Sequence, residues 1–394
     1  ISKEEVNAKV DAAFDDIVKA ATAWTPSKEK QDAQVKPYPA KRFKFSGTYA
    51  DVNDMFQKRK WSLSLPIVPP TVDKVAAMLK GTKRNPAEVL WVVPPRQGML
   101  TVELVAALGV MAGAKPEHMP LLIATVEAMA DPVAAWRGPT TTTAATVPVF
   151  FISGPIIDKL KLNPGTGTAG GENPVTNALG YFVNLVGDVV GGSVPPNFDK
   201  STHGSSADLV AMVFTENAKE NPWKTTYAEE AGFKPGDSIV THFSAYLGNA
   251  NIDHDSKTGQ RLLTTLSTGL LGSASGLASC LADYDATYAI NNKVSFAFIV
   301  LCPEHAATIA KDFPDQRAAR DFMRETAAMP YKFYSQETCV PGKDFGPYDE
   351  NTFIPRFKKT ESIKFFVSGG PGKQSQIWVP FPQVFKPVSK KIAE

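Results

Sequence analysis

The stretch VSFAFIVLCPEHAATIAKDF, residues 294–313, contains a strand, an abrupt turn and a helix in direct succession. Phe296 to Leu301 is a run of apolar, β-branched and aromatic residues, which is a strand pattern, and Pro303 suits the first position of a helix. Working outward, TVPVFFISGP (146–155), ADLVAMVFTENA (207–218), DSIVTHFSAY (237–246) and ESIKFFVSGGPGKQSQIWVP (361–380) read as further strands. Between them, NPVTNALGYFVNLVGDVVGG (173–192), GQRLLTTLSTGLLGSASGLASCLADY (259–284) and QRAARDFMRETAAM (316–329) read as helices. Strands alternating with helices are the pattern of an α/β fold. Mixed or parallel sheets flanked by helices are therefore expected. VFFISGP (149–155), FAFIVLCPEH (296–305) and KFFVSGGPG (364–372) echo one another as apolar strands ending in abrupt turns, which is compatible with two similar lobes.

Upstream, AEVLWVVPP (87–95) reads as another strand and residues 99–132 as two helices broken around Gly113 to Pro120. Residues 3–24 place Val6, Val10, Ala13, Phe14, Ile17 and Val18 at helical spacing, with Ser2 available as a cap. Residues 26–45 are rich in Lys, Pro and Gln and carry no periodicity. They read as an extended arm that wraps the body or reaches a partner subunit, or as a solvated linker. The expected organisation is thus an N-terminal helix and arm over 1–55 and an α/β body over 56–394.

The 394 residues carry 42 Lys and Arg against 40 Asp and Glu, a net charge of +2, which gives no electrostatic case for a nucleic-acid or membrane-surface partner. No apolar run reaches the roughly 18 residues needed to span a bilayer. Cys280, Cys302 and Cys339 are widely spaced, with no CxxC pair, so a reducing, cytoplasmic setting is the simpler expectation. The chain opens on Ile1, which leaves a removed leader open.

In open α/β sheets, ligands bind beyond the carboxyl ends of the strands. Those ends carry Ser153-Gly154-Pro155, Cys302-Pro303-Glu304-His305 and Ser368-Gly369-Gly370-Pro371-Gly372-Lys373. The loop from Gly369 and Gly370 to Lys373 reads as an anion cradle or as a tight turn, and it lacks the P-loop spacing. The loop NPGTGTAGGEN (163–173), opened by Asn163, does not match the dinucleotide fingerprint. It reads as a lid over a ligand or as a plain loop. Cys302 precedes a helix, where a thiol can ionise readily, and His305 follows three residues later. A buried structural Cys is the alternative. Glu216 follows a strand and is placed for acid or base work, and Trp223 is a candidate pocket wall. Arg96, after Pro94-Pro95, is a candidate carboxylate clamp. His203, in a Ser-rich loop, is a candidate base. His254 lies between Asp253 and Asp255, but adjacent loop residues do not converge on one ion, so a hydrated loop is expected and no metal site.

The order of WSLSLPIVPPT (61–71), EVLWVVPPRQGML (88–100), ISGPIIDKLKLNPGTG (152–167), FDKSTHG (198–204), FTENAKENPW (214–223), CPEHAATIAKDF (302–313) and SGGPGKQS (368–375) resembles an uncharacterised bacterial family. That family has a W-S-x-x-L-P-x-V-P-P-T opening and is associated with UGSC-type (seleno)proteins. The resemblance covers residues 61–394 and implies an α/β enzyme-like protein. The thiol motif of the selenoproteins is absent here, since Leu271-Gly272-Ser273-Ala274 carries no Cys.

The leading expectation is an enzyme of lyase or hydrolase type acting on a small anionic substrate with no resident cofactor. Arg96, Ser153, Gly154, Asn163, Trp223, Gly369, Gly370 and Lys373 would bind substrate. His305, Glu216, Cys302 and His203 would be catalytic. A homo-oligomer formed through the arm is expected. The alternatives are a non-catalytic subunit of a thiol or selenol redox protein and a haem- or flavin-dependent enzyme.

Overall fold

The computed structural model describes residues 2–23, 38–195, 202–246, 248–272, 296–334, 349–381 and 384–393. Cys280, Cys339 and the second half of the helix expected over 259–284 lie outside these residues.

Two four-stranded mixed sheets form the centre. The first has the order β12 (Val388–Lys391), β5 (Ile239–Tyr246), β3 (Thr146–Ser153), β4 (Met212–Thr215). The second has the order β10 (Ile363–Val367), β7 (Ala297–Leu301), β11 (Gln374–Trp378), β6 (Asn249–Ile252). Side chains alternate between the faces of a strand, and both sheets use this alternation to fill three cores. Phe150 and Ile152 of β3 point to one core, while Val147, Val149 and Phe151 point to another. Ala297, Ile299 and Leu301 of β7 face a third core, and Phe298 and Val300 return to the second. The second core lies between the sheets. There Phe151 stacks on Phe298 at 4.5 Å, and Phe243 stacks on Phe298 at 5.1 Å. Covered on both faces, β3 and β7 are buried along their whole length, which is why they read as continuous apolar runs.

Helices close the outer faces, giving four layers. Against the first sheet lie α4 (Val102–Met111), α5 (Met119–Ala130) and α7 (Pro174–Asn184). They follow α1 (Lys3–Ala23), α2 (Tyr49–Lys58) and α3 (Val72–Leu79), with the short α6 (Ile156–Lys159) after β3. The short α8 (Tyr227–Glu230) precedes β5. Against the second sheet lie α9 (Gly259–Gly272), α10 (Pro303–Asp312) and α11 (Gln316–Thr326), with Leu262, Leu266, Ile309 and Met323 in that core. A small pair, β8 (Ala328–Pro330) and β9 (Phe353–Pro355), lies beyond α11.

The expected strand 87–95 is not part of either large sheet. Val89–Val93 (β1) pairs antiparallel with Gly98–Thr101 (β2) as a separate hairpin. The segment 38–45 lies back on the body: the Ala40 amide and the Arg42 guanidinium both bond to buried Glu103. Residues 49–58, of which 49–55 were expected to belong to the arm, form α2, with a Thr48–Asp51 capping box, Phe56 in the core and Val52 and Met55 packed against it.

The two sheets repeat one plan. β3 runs parallel to β4 and antiparallel to β5, and β7 runs parallel to β10 and antiparallel to β11. The repeat holds at the level of single bonds: the Glu216 amide donates to Ile152 O at 2.9 Å, and the Ser368 amide to Leu301 O at 2.9 Å. The fourth strands are exchanged. β6 leaves β5 to pair with β11, and β12 leaves β11 to pair with β5. Where the chains cross, the Tyr246 amide donates to Val379 O and the Phe381 amide to Ser244 O.

Candidate functional site

The two parallel pairs bring their carboxyl ends together. The Asn217 amide donates to Val367 O at 2.8 Å, and Ser368 Oγ donates to Thr215 O at 2.7 Å. Four corresponding positions result at the strand ends, Ser153 as the last residue of β3 and Glu216, Ser368 and Cys302 directly after β4, β10 and β7. All are buried. The expected strand-end loops therefore do meet, although they come from two sheets rather than one.

The loop 163–171 covers this seam. Asn163 Oδ1 accepts from the Gly165 amide and its Nδ2 donates to Thr166 O, so Asn163 shapes the loop. Thr168 Oγ1 lies 2.9 Å from Thr215 Oγ1 at the end of β4, and the Gly369 amide donates to Pro164 O. Gly370 packs so closely on Thr166 that a Cβ there would come within 2.1 Å of its hydroxyl. Gly154 is likewise a packing residue. Its φ is +96°, and a Cβ would meet the Asp237 carbonyl at 2.2 Å.

On one side of the seam is Glu216. Its Oε1 accepts from the Tyr227 amide at 2.6 Å, and its Oε2 is buried without a partner. Burial raises its pKa from 4.5 to about 7, against the opposing effect of the Tyr227 amide and the Ser153 hydroxyl. The Ser153 hydroxyl is itself buried outside hydrogen-bond geometry.

On the other side, Cys302 caps α10 and His305 sits in its first turn, 2% exposed. His305 Nε2 lies 3.1 Å from Asp253 O. A carbonyl only accepts, so Nε2 carries a hydrogen and Nδ1 is the nitrogen that exchanges a proton. Nδ1 lies 2.8 Å from Ser375 Oγ, which also accepts from the Cys302 amide at 3.4 Å. Burial disfavours the Cys302 thiolate, but the His305 ring, the His305 and Gln374 amides and the imidazolium charge outweigh it and hold the thiol below its ordinary value. Burial also disfavours charge on His305, yet Cys302, the Asp253 carbonyl and the Asp253 charge outweigh it and hold the imidazole above its ordinary value. Asp253 stays ionised. Burial opposes this, but bonds from Thr265, Ser256 and Asp255 pull its pKa to about 2.

The Gly369–Lys373 loop does cradle a carboxylate, and that carboxylate belongs to the chain. The Gly372 and Lys373 amides donate to Glu304 Oε2 at 2.6 and 3.0 Å. Lys373 Nζ reaches His254 O at 3.0 Å.

Three expected site residues stand elsewhere. Arg96 donates its amide to Gly191 O and lies over Gly192. The next residue, Ser193, bonds Thr140 O, and Pro139 O is bonded by Thr146 at the start of β3. Arg96 is thus at the opening end of β3, roughly 23 Å along the strand from Ser153 at about 3.3 Å per residue. His203 is exposed, and its neighbour Thr202 bonds Thr143 O at that same far end. Trp223 is a strut, not a pocket wall. Its indole donates to Phe313 O at 3.0 Å and its ring packs on Phe365.

Ser375, Asp253 and Glu304 were missed as site residues. A period-2 signal existed for one of them: Ser375 shares the parity of Ile377, which faces the helices, so a hydroxyl at 375 must face α10. Among the described residues, no group of three or more His, Cys, Asp and Glu could hold a metal ion. No helix among them is long and apolar enough to cross a membrane. No protein-family model, curated protein or solved structure matches the chain.

Proposed function

We propose that the chain is an enzyme of hydrolase type acting on a small anionic substrate at the joined strand ends. Cys302 is the nucleophile and His305 its proton partner. The observation that carries this reading is the orientation of His305. Its Nε2 is anchored to Asp253 O, so its Nδ1 is turned to Ser375 Oγ, the same hydroxyl that accepts from the Cys302 amide at the N-terminus of α10. A thiolate there adds to an electrophilic carbonyl carbon and forms a C–S bond. The bond to the leaving group breaks as His305 gives that group its proton, and water then cleaves the thioester. Glu216, neutral in a large fraction of molecules near pH 7, supplies a second exchangeable proton across the seam. A reduced thiol in this role fits a cytoplasmic setting.

A site-resolved alkylation experiment tests the reading. Iodoacetamide modification of Cys302, followed by peptide mass spectrometry, is expected to titrate with a midpoint below that of an ordinary thiol. His305→Gln is expected to raise the midpoint. A native Cys302 that resists the reagent at every pH, or titrates as an ordinary thiol, overturns the assignment.

A second reading, an association surface, is favoured by one observation. Val6, Val10, Phe14 and Val18 form an apolar stripe on α1, and all four are exposed.

A further inference from the structure

Glu304 fills an anion cradle beside the proposed nucleophile. Its carboxylate lies in the pair of amides supplied by Gly372 and Lys373, at 2.6 and 3.0 Å. The loop needs unusual backbone to present them. Gly372 has φ +154°, and Lys373, which is not glycine, has φ +50°. Successive N–H groups in such turns form a concavity that selects anions. The strand that continues from this loop, β11, pairs antiparallel with β7, and its Ser375 hydroxyl accepts from the Cys302 amide at 3.4 Å. The concavity therefore adjoins the proposed nucleophile. Glu304 itself is only partly buried and sits between Cys302 and His305 in sequence.

We infer that the Gly372–Lys373 amides are the carboxylate-binding subsite of this centre and that Glu304 is its resident occupant, displaced when a substrate carboxylate binds. The inference rests on the proposed role of Cys302 and names the substrate class as a carboxylate. Two amides converging on one oxygen suit a carboxylate, and the nearby Lys373 ammonium favours negative charge without closing the space. Held there, the substrate would present the carbon next to its carboxylate to the sulfur.

Two alkylating agents that differ in charge test this on the full chain. Iodoacetate carries the carboxylate and iodoacetamide does not, and in both cases sulfur attacks carbon and iodide leaves. The rate ratio of iodoacetate to iodoacetamide at Cys302 is measured for the unaltered chain, Glu304→Gln and Glu304→Ala. Gln keeps a carbonyl oxygen for the two amides, whereas Ala vacates them. The ratio is expected to rise on the order of tenfold in Glu304→Ala, the scale of a hydrogen bond to a charged group. It is expected to rise much less in Glu304→Gln, and added acetate is expected to suppress the gain in Glu304→Ala. Equal gains in the two variants reflect loss of charge alone and overturn the inference, as does an unchanged ratio. If iodoacetamide fails to modify Cys302 in all three proteins, the proposed nucleophile falls instead, so the two failures are distinct.

Discussion

Glu216 shows how a single side chain couples the site to stability. Its carboxyl is buried beside Ser153 and titrates near 7 in the folded chain, against an ordinary value of 4.5. Between these pH values the folded chain keeps a proton that the unfolded chain has shed. Stability therefore falls as pH rises through this window and levels off above it. The cost above pH 7 is about 3 kcal/mol. Glu216→Gln removes the ionisation while leaving an oxygen for the Tyr227 amide. It is expected to raise the melting temperature by several degrees at pH 8 and to change it little at pH 4.5, as followed by thermal circular dichroism. Equal shifts at both pH values would show that the effect is packing rather than charge. The placement of Glu216 was legible because a polar residue directly after an apolar strand marks its carboxyl end. Glu304 was not legible as an anion-loop partner, since the hydrogen bonds that join it to Gly372 and Lys373 span 68 and 69 residues. Arg96 followed a convincing strand as well, but that strand belongs to a hairpin outside both sheets, and only the pairing reveals this.

Among the elements, α1 is the one whose sequence pattern and packing disagree. It has the stripe of a core-facing helix, yet Phe14 is 58% exposed and Val10 is 49% exposed. An apolar stripe of this kind is normally covered. We expect the covering surface to be a second copy of the chain. Deleting residues 1–23 is then expected to lower the mass observed by sedimentation velocity while leaving the thermal melt intact, because α1 contributes nothing to the three cores. An unchanged mass would remove α1 from any self-association. The main strands β3, β4, β5, β7 and β10 were legible because each is an apolar run of strand length with a turn after it. β2, β6 and β12 were not: GMLT, NANI and VSKK carry no apolar run of strand length, and what makes them strands is the neighbour they pair with.

At the scale of the molecule, the echo between 149–155 and 296–305 falls on corresponding strands, β3 and β7, whereas 364–372 holds β10, the counterpart of β4, so its likeness to 149–155 does not follow the repeat; the exchange of β6 and β12 is invisible in the sequence. That exchange makes each half depend on the other. A chain cut at Lys257 is expected to yield two pieces that show no cooperative melt when made separately and that combine into one cooperatively melting complex when made together. A half that melts cooperatively alone would show that its borrowed strand is dispensable. The lacing also governs how the buried centre is reached. Two halves that each hold a strand of the other cannot yawn apart along their midline as hinged jaws do. The seam beneath Pro164 and Thr168 is therefore a fixed anvil, and any substrate of the proposed centre would have to arrive without the halves parting.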